Sequence, residues 1–264
     1  MAFSSRINWS RQETLAVLHV YMLLSFGQLH ARNPLIRQLA QWIGRTPNSV
    51  ALKLVNFASL DPQVIESGRK GMGNSSAQDK LVWHDLNYNW TSMTLEAARE
   101  FERFATNNDM SAVVDIADDL AKEGFIISEG KTRSATVQVR INQARFRKAV
   151  LASYNNTCCM SGLRHQKLVV ASHIVPWSVD KENRLNPRNG LCLSAIHDRA
   201  FDQGLIAVSD EGRVLMSGSI SAIQGVAAFA NHFLTCEDML IQKPARFAPD
   251  PMLLQWHREN LFTP

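Results

Sequence analysis

Two histidines, His173 and His197, lie twenty-four residues apart in ASHIVPWSVDKENRLNPRNGLCLSAIHDRAFD (171–202), with Asn189-Gly190 between them. An imidazole titrates near neutral pH, so each can take a proton from water or lend a lone pair to a metal ion. Neither sits in a conventional metal-ligand spacing. Taken singly, each residue also has a structural explanation: His173 as a polar strand end, His197 as a side chain bonding a backbone carbonyl at a helix start, and Asn-Gly as an ordinary turn. The order of the elements that carry them decides whether they form one site.

KLVVASHIVPW is β-rich and stops at a Pro-Trp, KENRLNPRNG is a polar loop, NGLCLS is a short strand, and AIHDRAFD begins a helix. His173 therefore falls on a strand, Asn189 at the edge of a second strand and His197 on a helix. Upstream, QARFRKAVLASYNN places Phe146, Val150 and Tyr154 on one helical face, with Arg145, Arg147 and Lys148 off it. Downstream, GLIAVSDEGRVLMS gives two short strands around Asp-Glu-Gly.

The first ninety residues have helical patterning. WSRQETLAVLHVYMLL opens at Ser10 as an N-cap with an acid in the first turn, and PLIRQLAQWIG runs to a stop at Gly44. RTPNSVALKLVNF starts at once, with Thr46 as a cap and Pro47 at the first helical position. Two helices joined by Gly44-Arg45-Thr46 form a helix-turn-helix pattern, so Arg45, Asn48 and Lys53 are candidate DNA contacts. The same role is expected of Arg69 and Lys70 in the Gly/Ser-rich loop over 61–80.

No apolar run reaches the length of a membrane span, and the start MAFSSRINWS lacks the apolar stretch of a signal peptide, so a cytoplasmic protein is expected, with no membrane partner. The four cysteines suit reduced thiols with a structural or incidental role. No CxxC is present, which excludes a four-cysteine zinc knuckle, and no structural zinc is expected. The net charge is +4 and the pI about 9.0, which makes nucleic acid a partner to consider. From Gly130 to Val179 there are eight Lys/Arg and no Asp or Glu, after an acidic helical stretch over 94–123. That step marks a boundary. Arg140, Arg145, Arg147 and Lys148 lie within the basic segment, as a solvated helix face or as phosphate contacts. The organisation expected is a helical DNA-binding domain over 1–90, a helical connector over 91–130 and a second domain over 131–264.

The run from Arg140 to Ser209, with RFRKAVL, the CMSG turn, ASHIVPW and NPRNGLCLSAIHDRAFDQGLI, resembles the HNH endonuclease family, in the branch found in prokaryotic restriction enzymes. The N-terminal WSRQETLAVLHVY and GRTPNSVALKLVNF pieces resemble the region that accompanies this branch. The resemblance implies an α+β chain: an all-α helix-turn-helix-like domain followed by a ββα-metal nuclease domain. It implies catalytic roles for His173 as general base, Asn189 as the residue holding the loop, and His197 as a ligand of Mg²⁺ or Mn²⁺, with Asp202 a further candidate ligand ahead of Asp198, which points about 100° away from His197 around the helix. Where relatives carry an Asp or His before the base, this chain has Ser172. The implied activity is hydrolysis of DNA to 5′-phosphate and 3′-hydroxyl ends, by a homodimer where both strands are cut. The alternative is a catalytically inactive DNA-binding regulator on the same scaffold.

Overall fold

Three side-chain caps set the first three helices. Ser10 accepts from the Glu13 N–H, and the Glu13 carboxylate accepts in return from the Ser10 N–H, starting α1 (Arg11–Leu23). Asn33 caps α2 (Pro34–Trp42) and Thr46 caps α3 (Pro47–Ala58), each followed by proline in the first turn. Between them Gly44 has φ +65°, the left-handed conformation that ends a helix and costs glycine little. α4 (Pro62–Glu66), α5 (Ala77–Tyr88) and α6 (Trp90–Asn108) follow.

The computed structural model describes residues 8–68, 75–108, 133–220 and 225–264. The chain divides into two units, Met1–Glu129 and Gly130–Pro264. In the first, α1 is buried continuously from Thr14 to Met22, because α2, α3, α5 and α6 all pack against it. The expectation of a connector over 91–130 is corrected for 91–108. There α6 lays Met93, Ala97, Phe101 and Ala105 into the first unit's core as the main partner of α1. The apolar stripe at helical spacing outweighs the acidic tone of the segment. The remainder of that stretch falls outside the described residues, as do Arg69 and Lys70.

The second unit contains α7 (Arg133–Ser153), β1 (Val169–His173), β2 (Gly190–Ser194), α8 (Ala195–Asp202), β3 (Ile206–Val208), β4 (Val214–Met216) and α9 (Pro251–Asn260). A helical turn (Ala227–Phe229) running into a π-helical turn (Ala230–Leu234) lies between β4 and α9. β1 and β2 pair antiparallel with Val169 opposite Ser194 and His173 opposite Gly190. β3 and β4 form a second antiparallel pair. Every residue of β2 is buried, since both α7 and α8 pack against the β1–β2 pair. Gly190 is required there: a Cβ would stand 2.5 Å from Val150 Cγ2 and 2.8 Å from Phe146 Cζ, so only glycine lets α7 close over the hairpin. Ser194 ends β2 and also caps α8, its hydroxyl accepting from the His197 N–H at 3.4 Å. The chain is thus α+β, helical in its first unit and built around a strand–strand–helix core in its second. Among the described residues no helix is long and apolar enough to cross a membrane.

Candidate active site

His173 is the last residue of β1 and faces α7. Its ring stacks on Phe146 with centroids 3.7 Å apart and planes at 13°, and Trp177 meets it edge-on at 5.5 Å. His173 Nε2 lies 3.1 Å from the Arg184 carbonyl oxygen. A carbonyl can only accept, so Nε2 carries the proton and Nδ1 holds the lone pair. Burial among aromatic rings lowers the pKa to about 4, against a smaller upward pull from the Arg184 carbonyl. The ring is therefore neutral at physiological pH. Arg184 is fixed in turn, its Nε donating to the Trp177 carbonyl at 2.7 Å and its guanidinium lying over the Trp177 ring.

Asn189 is fully buried where the loop after β1 returns to β2. Its Oδ1 accepts from the Val175 N–H at 2.8 Å, and its Nδ2 donates to the carbonyls of Val175 (3.1 Å) and Asn183 (3.3 Å). Its backbone carbonyl also accepts from the Ile174 N–H at 3.0 Å. One side chain thus closes both ends of the loop that carries the Arg184 carbonyl.

His197 sits in a different setting. It is 1% exposed and lies between two sulfurs, with Nδ1 3.5 Å from Cys158 Sγ and Nε2 3.9 Å from Cys236 Sγ. Nε2 also donates to the His232 carbonyl at 2.7 Å. Burial pushes the Cys158 thiol up, but hydrogen bonds from His197 and from Ser161 and Met160 overcome it and bring the thiol to about 6. Burial likewise pushes His197 down, and its contacts with Cys158, Cys236 and the His232 carbonyl carry it instead to about 10. Both ring nitrogens are thus engaged inside the fold, Nε2 by the His232 carbonyl and Nδ1 by the Cys158 sulfur.

One residue further along α8, Asp198 turns about 100° away from His197 and toward β1. The Ser172 hydroxyl, 2% exposed, stands beside its carboxyl group. Burial raises the Asp198 pKa, with Ser172, Arg147 and Arg199 opposing. Asp202 follows at i+4, on the same face of α8, and is pushed up to about 6 by burial and by the charge of Asp198. Among the described residues no three His, Cys, Asp or Glu side chains converge in a way that could hold a metal ion. The two carboxylates, with the Ser172 hydroxyl beside them, nevertheless match what Mg²⁺ asks of a protein, which is one or two carboxylates with substrate phosphate oxygens completing the shell. Sequence reading named both carboxylates but did not foresee that Cys158 and Cys236 flank His197.

The expected DNA contacts divide. Lys53 is 3% exposed and ion-paired with the buried Asp79, which also accepts from Asn56 Nδ2 at 3.3 Å. Arg45 makes a two-pronged pair with Glu13 at 2.9 and 3.0 Å and donates to the Asn8 carbonyl at 2.8 Å. Lys53 is an internal strut, and the expectation that it contacts DNA is corrected, while Arg45 braces the α2–α3 turn against α1. Arg147 ties α7 to β1 by donating to the carbonyls of Gln166 and Val169. Arg145 donates to Asn142 Oδ1 at 3.0 Å. Arg140 and Lys148 are half-buried on α7, and Asn48 is exposed on α3.

A scan against protein-family models matches residues 158–209 to the family described as HNH endonuclease. The match spans β1, the Asn189 loop, β2 and α8. A search among curated proteins gives no match.

Proposed function

We propose, from the match of residues 158–209 to the HNH endonuclease family, that this protein cuts DNA by divalent-cation-dependent hydrolysis of phosphodiester bonds, with His173 Nδ1 as general base. The observation that carries the assignment is the fixed tautomer: the Arg184 carbonyl takes the Nε2 proton and leaves Nδ1 as acceptor. Phe146 and Trp177 hold the ring against rotation. Asn189 acts through the loop, keeping the Arg184 carbonyl in place. In hydrolysis His173 takes a proton from the attacking water, the water oxygen bonds to phosphorus as the P–O3′ bond breaks, and the departing 3′-oxygen takes a proton from solvent. A divalent ion, Mg²⁺ or Mn²⁺, would be held by Asp198 and Asp202 with Ser172 beside them, and when bound supplies positive charge to the phosphate and the leaving oxygen. His197 clamps the start of α8 between Cys158 and Cys236.

The biological setting we propose is restriction of foreign DNA, including DNA with modified bases. One ββα site serves one strand, so cutting of both strands calls for a homodimer. The test is incubation with plasmid and Mg²⁺ or Mn²⁺ beside a His173→Ala variant. Nicking or linearisation is expected for the parent, with a loss of about 10²- to 10⁴-fold in the variant. Manganese binding followed by electron paramagnetic resonance is expected to weaken in Asp198→Asn and to survive in His197→Asn. The second reading, a DNA-binding regulator on an HNH scaffold, is favoured by the engaged nitrogens of His197. It replaces the first if neither modified nor unmodified plasmid is cut with any divalent ion.

A further inference from the structure

In the first unit, one acid-free stretch surrounds an open groove. Between Glu13 and Asp61 the chain carries no Asp or Glu, while it has Arg32, Arg37, Arg45 and Lys53. Arg45 and Lys53 are neutralised inside the fold by Glu13 and Asp79, which leaves Arg32 and Arg37 as the exposed cations of this stretch. The groove, about 550 Å³, lies between α2 and the start of α3 and is lined by Pro34, Arg37, Gln38, Gln41, Arg45 and Pro47. Its polar residues recur at helical spacing along α2, so they form a row rather than a scatter. At its edge the exposed Asn48 opens α3, and Leu52, one turn further on, is 45% exposed.

We infer that this groove and the adjoining face of α3 form a binding surface for duplex DNA, with Arg37 on a phosphate and Gln41, Asn48 and Leu52 on base edges. The inference rests on the nuclease reading of the second unit, which supplies the reason for nucleic acid rather than an acidic protein to occupy the face. The chemistry of the row supports it. Primary amides pair in two-pronged fashion with adenine in the major groove, and an exposed leucine beside them meets the methyl group of thymine. A 12-residue helix such as α3 is about 18 Å long and fits the width of that groove end-on or obliquely. The surface is also held rigid from behind. The Lys53–Asp79 ion pair locks α3 to α5, and the Arg45–Glu13 pair locks the α2–α3 turn to α1. The cations expected from sequence to touch DNA therefore set the orientation of the surface instead.

The experiment is fluorescence anisotropy of a labelled duplex with the full chain in EDTA, so that no cutting occurs, measured across a salt series. Arg37→Ala/Gln41→Ala is expected to lose affinity by about tenfold and to reduce the slope of log affinity against log salt by about 0.9, the share of one phosphate contact. Asn48→Ala/Leu52→Ala is expected to lower affinity for the preferred sequence with no change of slope. Arg140→Ala/Lys148→Ala serves as the comparison on the second unit. Unchanged affinity and slope in both groove variants, with the loss confined to the α7 variant, overturns the inference, as does groove-dependent capture of acidic peptide in preference to duplex. A plasmid cut by a protein whose groove variants bind duplex like the parent keeps the nuclease reading and removes this one. Groove-dependent duplex binding by a protein that cuts nothing does the reverse.

Discussion

Replacing Phe146 by leucine tests the physical basis of the base assignment. The ring of Phe146 covers one face of His173 at 3.7 Å and is itself 2% exposed. His173 is lowered from 6.5 to about 4, and a displacement of that size corresponds to about 3 kcal/mol against the charged imidazole. Leucine keeps apolar bulk but not the planar cover, so water reaches the ring and the pKa is expected to rise by about one unit toward 6.5. The assay is nuclear magnetic resonance of ring-labelled histidines titrated from acid through neutral pH. His257 supplies an internal reference: it stacks on Phe201 at 3.7 Å, donates from Nε2 to the Phe201 carbonyl, and is also lowered to about 4. It is expected to stay unmoved in the variant. Stability follows the same sign. His173 is neutral in the fold, whereas the unfolded chain binds a proton below 6.5, so its contribution is intact above 6.5 and is lost as pH falls from there to about 4. The acid limb of the cutting rate is expected at about pH 4 in the parent and higher in the variant. A parent His173 that titrates near 6.5, or a variant in which it does not move, would refute the account.

Asn189→Ala removes three side-chain hydrogen bonds and leaves the Val175 N–H buried without an acceptor. We expect a loss of about 3 kcal/mol in urea unfolding, from orphaned groups costing about 1–3 kcal/mol each. A change below about 0.5 kcal/mol, within the range of a neutral surface substitution, means the amide does not hold the loop. Lys53→Met strands the buried Asp79 carboxylate, and thermal or urea melts are expected to show a loss of about 3–5 kcal/mol. Adding Asp79→Asn should recover a large part of it, and a double variant as unstable as the single one would dismiss the ion pair as the cause.

The parts of the fold that sequence made legible are those governed by neighbours in the chain. The caps at Ser10 and Thr46, the stop at Gly44, the strand carrying His173 and the helix beginning after Ser194 all depend on residues within a turn of one another. The order His173, Asn189, His197 was legible for the same reason. The partners of the charged residues were not. Lys53 finds Asp79, and Arg45 finds Glu13, through packing of helices distant in sequence, so a basic residue in a helix-turn-helix pattern read as a surface contact. Cys158 and Cys236 each lie 39 residues from His197, on opposite sides of it in sequence. No local spacing announces such a convergence. The charge tone of 91–108 misled because tone records the solvent face, while the burial of α6 is set by its apolar stripe.

Ser194 belongs to β2 and to the cap of α8 at once, so no linker separates the hairpin from the helix. The junction therefore works as a rotational index. Each residue of an α-helix advances the side chains by about 100°, so inserting a single alanine after Ser194 would swing Asp198 out of line with Ser172 and put its neighbour in that place. Loops elsewhere in this domain can absorb a change of length by bulging outward. At this seam a change of length becomes a change of angle, and the chemistry of α8 is written in its phase.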